Sequence, residues 1–260
     1  MSAIIMKKTA IVSGASRGIG RATALALAAE GFDIAALAWK DGEKLEQLKA
    51  DVLATGRHCQ VYEIDIADRA SHQPFVDTVV TEFGEIHCMV NNAGVSVLQR
   101  GDLLEVSEES YDRCFDTNTR GTFFLSQCVA KHMLAQQRND DVYRSMVFVT
   151  SSNAAAATVE RGEYCMSKIA LHMASRLFAM RLAPLGIGVF EVQPGLILTE
   201  MTAPSKPKYD ALIANGMTIE PRWGMPEDVA RVIRTMAAGL LPYTVAQEVR
   251  VDGGLLIQRF

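Results

Sequence analysis

Short apolar runs alternate along the chain with longer stretches whose apolar positions recur at helical spacing. The runs at 9–12, 33–38, 59–64, 86–90, 145–150, 188–192 and 245–251 predict strands. Helices are predicted over 19–30, 43–55, 71–83, 107–115, 119–137, 163–183 and 208–215. One more starts near Pro226, a proline suited to a first helical turn. Such alternation implies a parallel sheet with helices on both faces, a doubly wound α/β unit. Its ligand belongs at the C-terminal strand ends, where the strand order reverses. No repeat or linker divides 1–260, so one domain is expected. The Pro/Lys-rich stretch 203–208 is too short to join two domains, and the segment 198–222 around it is expected to form a mobile lid.

Bulk properties narrow the function classes. With 260 residues and 49% apolar content the chain can bury a sizeable core. A net charge of −4 and the lack of a basic stripe argue against nucleic acid. The most apolar stretch, 22–39, is interrupted by Glu30, Gly31 and Asp33, so it reads as helix, turn and strand and not as a membrane span. The N-terminal apolar run lacks a small-residue cleavage site and leads straight into a glycine loop, so no signal peptide is expected. Five cysteines (59, 88, 114, 128, 165) are odd in number and lack metal spacing. They read as reduced core thiols of a cytoplasmic protein with no metal site.

Ser13-Gly14-Ala15-Ser16-Arg17-Gly18-Ile19-Gly20 links the first strand to the first helix. Glycines there permit a tight turn and close approach to a pyrophosphate, which meets the free N–H groups of the helix N-terminus. Further signatures follow in order. They are Asn91-Asn92-Ala93-Gly94 after the fourth strand, Tyr164-Cys165-Met166-Ser167-Lys168, Pro194-Gly195-Leu196-Ile197-Leu198-Thr199, Arg222-Trp223-Gly224-Met225-Pro226 and Val251-Asp252-Gly253-Gly254. Together they make nearly the whole chain resemble the short-chain dehydrogenase/reductase family, and in overall pattern its 3-oxoacyl-carrier-protein reductase-like members. The resemblance implies a single Rossmann-type domain that binds a nicotinamide dinucleotide. The cofactor contacts it implies are Gly14, Ser16, Arg17, Gly18, Ile19 and Gly20, then Trp39 and Lys40, and Asp65 and Ile66 near the adenine. Asn92, Ala93, Gly94, Tyr164, Lys168, Pro194, Gly195, Ile197 and Thr199 complete the set.

Reducing a ketone takes a hydride donor and a proton donor. Tyr164 and Lys168 lie four apart on a predicted helix and share a face. A free tyrosine titrates near roughly 10, and a nearby ammonium favours the phenolate. Ser151 can donate to the substrate oxygen, with Ser152 as its rival. By resemblance, Lys168 also holds the nicotinamide ribose and Asn118, opening the helix 119–137, orders a water between Lys168 and solvent. A plain helix N-cap is the alternative for Asn118. His172 reads as a packed helix residue and the acidic cluster 105–112 as a solvated helix start.

The cofactor is expected to be NADP(H) over NAD(H). An acid about twenty residues past the loop would bind the ribose 2′-hydroxyl and repel a 2′-phosphate, yet Ala38 stands where such an acid usually lies. Arg17 and Lys40 can supply the positive charge; the competing reading has Asp41 reaching back to the ribose. The substrate is expected to be a small carbonyl or alcohol, either a 3-oxoacyl thioester or a sugar, polyol or hydroxy acid. Against carrier-protein docking, Leu185 replaces an arginine found in some family members, although Arg176 and Arg181 could substitute. A non-catalytic NADP-binding regulator is the reading from another class. A nucleotide-sugar epimerase is excluded by its different glycine pattern and longer C-terminal region. Apolar residues of the helix 163–183 (Leu171, Leu177, Phe178, Leu182) spread beyond one narrow stripe, enough to serve both the core and a partner, and with the family's habit they predict a homotetramer or homodimer.

Overall fold

The computed structural model describes residues 7–137 and 142–259; residues 1–6, on which part of the leader-peptide reading falls, lie outside them. Seven parallel strands form one sheet in the order β3-β2-β1-β4-β5-β6-β7. They are β1 (Lys8–Ser13), β2 (Phe32–Ala38), β3 (Cys59–Glu63), β4 (Cys88–Asn91), β5 (Arg144–Val149), β6 (Ile187–Pro194) and β7 (Glu248–Val251). Every residue of β2, β4 and β5 is buried, as continuous apolar strands covered on both faces should be.

The helices are α1 (Gly18–Ala29), α2 (Gly42–Ala54), α3 (His72–Phe83), α4 (Glu108–Cys114), α5 (Thr122–Ala135), α6 (Gly162–Leu182), α7 (Lys206–Ala214) and α8 (Pro226–Ala237). One face of the sheet is covered by α1, α2 and α8 through Leu27, Leu45, Leu48, Ile233 and Met236. The other is covered by α3, α5 and α6 through Phe75, Val79, Leu125, Val129 and Leu171. Small residues of α1 (Gly20, Ala24, Ala28) let it lie close to its neighbours. The tempting apolar stretch 22–39 is indeed α1, Gly31 at φ 96° and β2, and no helix among the described residues is long and apolar enough to cross a membrane.

Three elements differ from the sequence reading. The helices expected over 107–115 and 119–137 are one continuous rod, with a π turn over Phe115–Gly121 joining α4 to α5. The wider turn shifts the apolar register, which makes one helix read as two. Gly121 does not break it; a Cβ there would lie 2.3 Å from the Ile66 carbonyl oxygen, so this glycine serves close packing. The last strand is only Glu248–Val251, because Tyr243 and Ala246 sit at φ 56° and 55° and interrupt extended backbone before it. In 198–222, where regular structure was expected only near 208–215, a 3₁₀ turn (Ala203–Ser205) leads into α7.

Candidate active site

The strand order reverses between β1 and β4, the switch point at whose C-terminal strand ends a doubly wound sheet takes its ligand. The glycine loop lies there. Gly14 and Gly18 have φ of 65° and 53°, the left-handed region that suits glycine. A Cβ on Gly20 would sit 2.1 Å from the Gly14 carbonyl oxygen, and one on Gly14 would sit 2.9 Å from Ala93 Cα. The loop therefore folds tightly on itself and against the Asn92–Gly94 turn. Asn92 Nδ2 donates to the carbonyls of Ser13 (2.9 Å) and Gly14 (3.1 Å), so its side chain braces the loop from beneath. Ser13 Oγ, which sequence reasoning did not single out, accepts the N–H groups of Asn92 and Ala93, both at 3.0 Å.

The first turn of α1 carries no acidic residue and Arg17 makes no side-chain cap, which suits an anion at that end. Thr199 faces the loop from the opposite wall, its methyl 3.3 Å from where a Gly18 Cβ would be. Ile197 is buried and Pro194 closes β6. Gly195 is required by packing, since its Cβ would lie 2.7 Å from Asp252. A cradle that only glycines fit, facing a bare helix N-terminus, matches the needs of a dinucleotide pyrophosphate.

At the end of β2, Trp39 is exposed and Lys40 Nζ lies 4.2 Å over its ring. Ser16 Oγ donates to Asp41 Oδ2 at 2.7 Å. Arg17 Nη1 donates to Glu200 Oε2 at 2.8 Å, and Lys44 binds the same carboxylate at 2.9 Å. These two bonds hold the Glu200 carboxyl below its ordinary range. Asp65 Oδ1 accepts from the Ala67 N–H (2.9 Å), and the carbonyl of buried Ile66 accepts from His72 Nε2 (2.8 Å).

Of the four candidate catalytic residues, Tyr164, Lys168 and Asn118 come together, and Ser151 lies two residues beyond Val149, which Lys168 contacts. Tyr164 and Lys168 project from α6, both buried, with Lys168 Nζ 5.7 Å from the Tyr164 ring centre. Lys168 Nζ donates to the Val149 carbonyl at 3.2 Å. Ser151 follows β5; its Oγ accepts the Asn153 N–H (3.1 Å). It caps the short turn that follows, yet an acceptor role leaves its own hydrogen free to donate. Ser152 is equally buried.

Asn118 is no N-cap: it lies inside the π turn, fully buried. Its Nδ2 donates to the Val95 carbonyl (3.0 Å) and Ser167 Oγ (2.9 Å), and its Oδ1 accepts the Val95 N–H (2.8 Å). A Cβ on Gly94 would meet Asn118 Oδ1 at 3.1 Å and Lys168 Nζ at 3.3 Å, so this glycine lets the two groups close in on one point.

Behind the site lies a buried polar cluster. The Glu191 carboxylate, 2% exposed, accepts from Thr150 Oγ1, Gln193 Nε2 (2.9 Å), His172 Nδ1 (2.7 Å) and Ser175 Oγ (3.1 Å). His172 is thus packed as expected, and it joins α6 to β6. Glu191 escaped the sequence reading because its partners come from three separate elements. All five cysteines are free thiols; burial pushes Cys59 and Cys88 up to about 12.

The short chain dehydrogenase family matches residues 8–210. The chain is 32% identical over 254 residues to the 3-oxoacyl-[acyl-carrier-protein] reductase FabG of Staphylococcus aureus, covering 96% of this chain and 98% of that one. It is equally 32% identical over 254 residues to the L-rhamnose 1-dehydrogenase (NAD(P)(+)) of a Sphingomonas species, covering 96% of each. Among solved structures, the 3-oxoacyl-[acyl-carrier protein] reductase of Brucella melitensis in complex with NAD superposes with a TM-score of 0.93 at 38% identity, over 98% of this chain and 99% of that one.

Proposed function

The chain belongs to the short-chain dehydrogenase/reductase family, nicotinamide-dependent oxidoreductases acting on CH–OH groups, and we propose that it interconverts a ketone and a secondary alcohol with NADP(H), Tyr164 serving as acid and base. The observation that carries this reading is the closeness of Tyr164, Lys168 and Asn118 beside a glycine cradle, with Ser151 two residues beyond the Val149 carbonyl that Lys168 holds. The bound nicotinamide supplies or accepts the hydride. Tyr164 gives its hydroxyl proton to the carbonyl oxygen in reduction and recovers it in oxidation. Ser151 donates to the same oxygen and steadies its developing charge. One Lys168 proton is spent on Val149, which leaves two donors for the nicotinamide ribose and a water ordered by Asn118.

For the 2′-phosphate, β2 ends without a carboxylate, and Arg17, Lys40 and Lys44 bring three positive charges against Asp41 and Glu200. The phosphate would take Arg17 from Glu200. The first substrate to test is a 3-oxoacyl thioester, after the reductases this chain resembles. A smaller substrate is favoured by one observation: Arg176, a candidate for docking a carrier protein, instead faces Glu248 at 3.8 Å.

Three further properties complete the reading. The segment 198–222 is a lid, tied to the body through Lys208–Glu160 at 3.0 Å and Arg17–Glu200. The outer face of α6 pairs with a second copy. Of the four apolar residues expected to be shared between core and partner, Leu171, Phe178 and Leu182 belong to the chain's own core and Leu177 is exposed. Met166, Ile169, Met173 and Met180 join Leu177 in an exposed stripe. Five free thiols suit a reducing cytoplasm.

The test is turnover with NADPH and NADH against a panel of ketones and 3-oxoacyl thioesters. Turnover with NADPH preferred is expected. Cofactor binding without turnover of any substrate would instead mark a nucleotide-binding regulator.

A further inference from the structure

Two arginines in the substrate region are not used by the chemistry above. Arg161 lies one helical turn before Tyr164, with its guanidinium carbon 5.1 Å from the Tyr164 ring centre. Its Nη2 donates to Asn153 Oδ1, two residues beyond Ser151. Arg161 therefore adjoins both the Tyr164 ring and the turn that follows Ser151. Arg100, from the loop after β4, reaches Tyr209 of α7 at 3.4 Å. Among the described residues neither guanidinium forms an ion pair. A carboxylate near both is Glu160, and Lys208 already holds it at 3.0 Å. All three cations act on Glu160 and keep its carboxyl below its ordinary range, Lys208 most strongly. The mouth beside Tyr164 thus gathers Arg100, Arg161 and Lys208 around one carboxylate and retains a surplus of positive charge.

Partly buried guanidinium groups with unfilled donors favour a planar anion, which they bind by a fork of charge-assisted hydrogen bonds. We propose that the substrate is a short oxo acid or hydroxy acid whose carboxylate is held by Arg161, with Arg100 assisting. This rests on the ketone–alcohol reading of the same site. The closeness of Arg161 to the Tyr164 ring requires a carboxylate only a few bonds from the reacting carbon. The phosphate of a pantetheine arm is too far from its thioester carbonyl to fill that place.

The test compares 4-oxopentanoate with its methyl ester, and adds a 3-oxoacyl N-acetylcysteamine thioester as a second neutral carbonyl. Each is assayed with the full chain and NADPH or NADH. The wild type should favour the acid over both neutral compounds in kcat/KM by about tenfold or more, the worth of one charge-assisted pair. Arg161→Gln should bring the acid-to-ester ratio near one, and Arg161→Lys should restore part of it. Arg100→Gln should lower the ratio by a smaller factor. A parallel titration of 4-oxopentanoate into the cofactor complex by calorimetry reads binding without turnover and should weaken in Arg161→Gln. A wild type that treats acid and neutral compounds alike would overturn the proposal. So would an Arg161→Gln variant that slows all three substrates equally, since that marks a structural role beside Tyr164. If no carbonyl is turned over while the titration still shows Arg161-dependent binding, the ketone–alcohol reading fails and the anion site stands. If titration shows no such binding, the anion site itself fails.

Discussion

Replacing Glu191 by glutamine keeps the shape of the buried cluster and removes its charge. Each carboxylate oxygen accepts two donors: Thr150 and Gln193 on one, His172 and Ser175 on the other. The new amide must turn its NH₂ toward one pair. The better choice is the His172 side, because Ser175 Oγ donates to the His172 carbonyl at 2.8 Å and can accept one new N–H, while His172 Nδ1 can accept the other as the Nε2–H tautomer. Thr150 and Gln193 then still donate to the amide oxygen. The net change is that bonds to a carboxylate become bonds to a neutral amide. Charge-assisted bonds are the stronger kind, so a loss of about 1 kcal/mol is expected. Urea denaturation at pH 7.5 reads this as a lower midpoint at unchanged slope. Activity should fall as well, because the cluster ties the strand before Ser151 to the helix of Tyr164 and Lys168. A midpoint within error of the wild type would refute the claim that this carboxylate holds α6 to β5 and β6.

Other outcomes follow from the same contacts. Arg17→Ala should reduce the NADPH-to-NADH ratio of kcat/KM by roughly 10–100-fold, the range for a lost charged pair; an unchanged ratio would return the ribose to Asp41. Burial pushes His72 and His87 below the ordinary imidazole range. Their neutral forms contribute stability that is fully present above about pH 6.5 and is lost as pH falls toward the lower folded values. The urea midpoint should therefore decline between pH 7.5 and 5.5, and a flat profile would contradict this. Its bond to Lys208 holds the Glu160 carboxyl below its usual range, so the lid latch should persist through and below the pH at which an ordinary glutamate is protonated. Glu160→Gln should raise amide exchange in α7 at neutral pH without changing exchange in the sheet; unchanged exchange in α7 would remove the latch.

Local chemistry made much of this site legible. The glycine loop, the Tyr164/Lys168 pair and the position of Ser151 are set within a few residues of chain, and strand–helix alternation implied the crevice. Features that depend on distant partners were not legible. Arg17 and Glu200 are 183 residues apart, and nothing local pairs them. The π turn around Asn118 disguised one helix as two by inserting into its apolar period. Of the four apolar α6 residues read as serving both core and partner, three went to the core, because periodicity alone does not say which stripe a buried sheet covers. The late start of the last strand came from left-handed backbone at Tyr243 and Ala246, which neither residue type announces.

The central claim is that the Tyr164 hydroxyl moves the proton while the glycine cradle holds the cofactor. Tyr164→Phe tests it most directly, with kcat measured alongside NADPH affinity by fluorescence titration. Loss of a positioned general acid typically costs 10²–10⁴-fold, so kcat should fall by about that factor while NADPH still binds. Near-normal turnover by the phenylalanine variant would contradict the account.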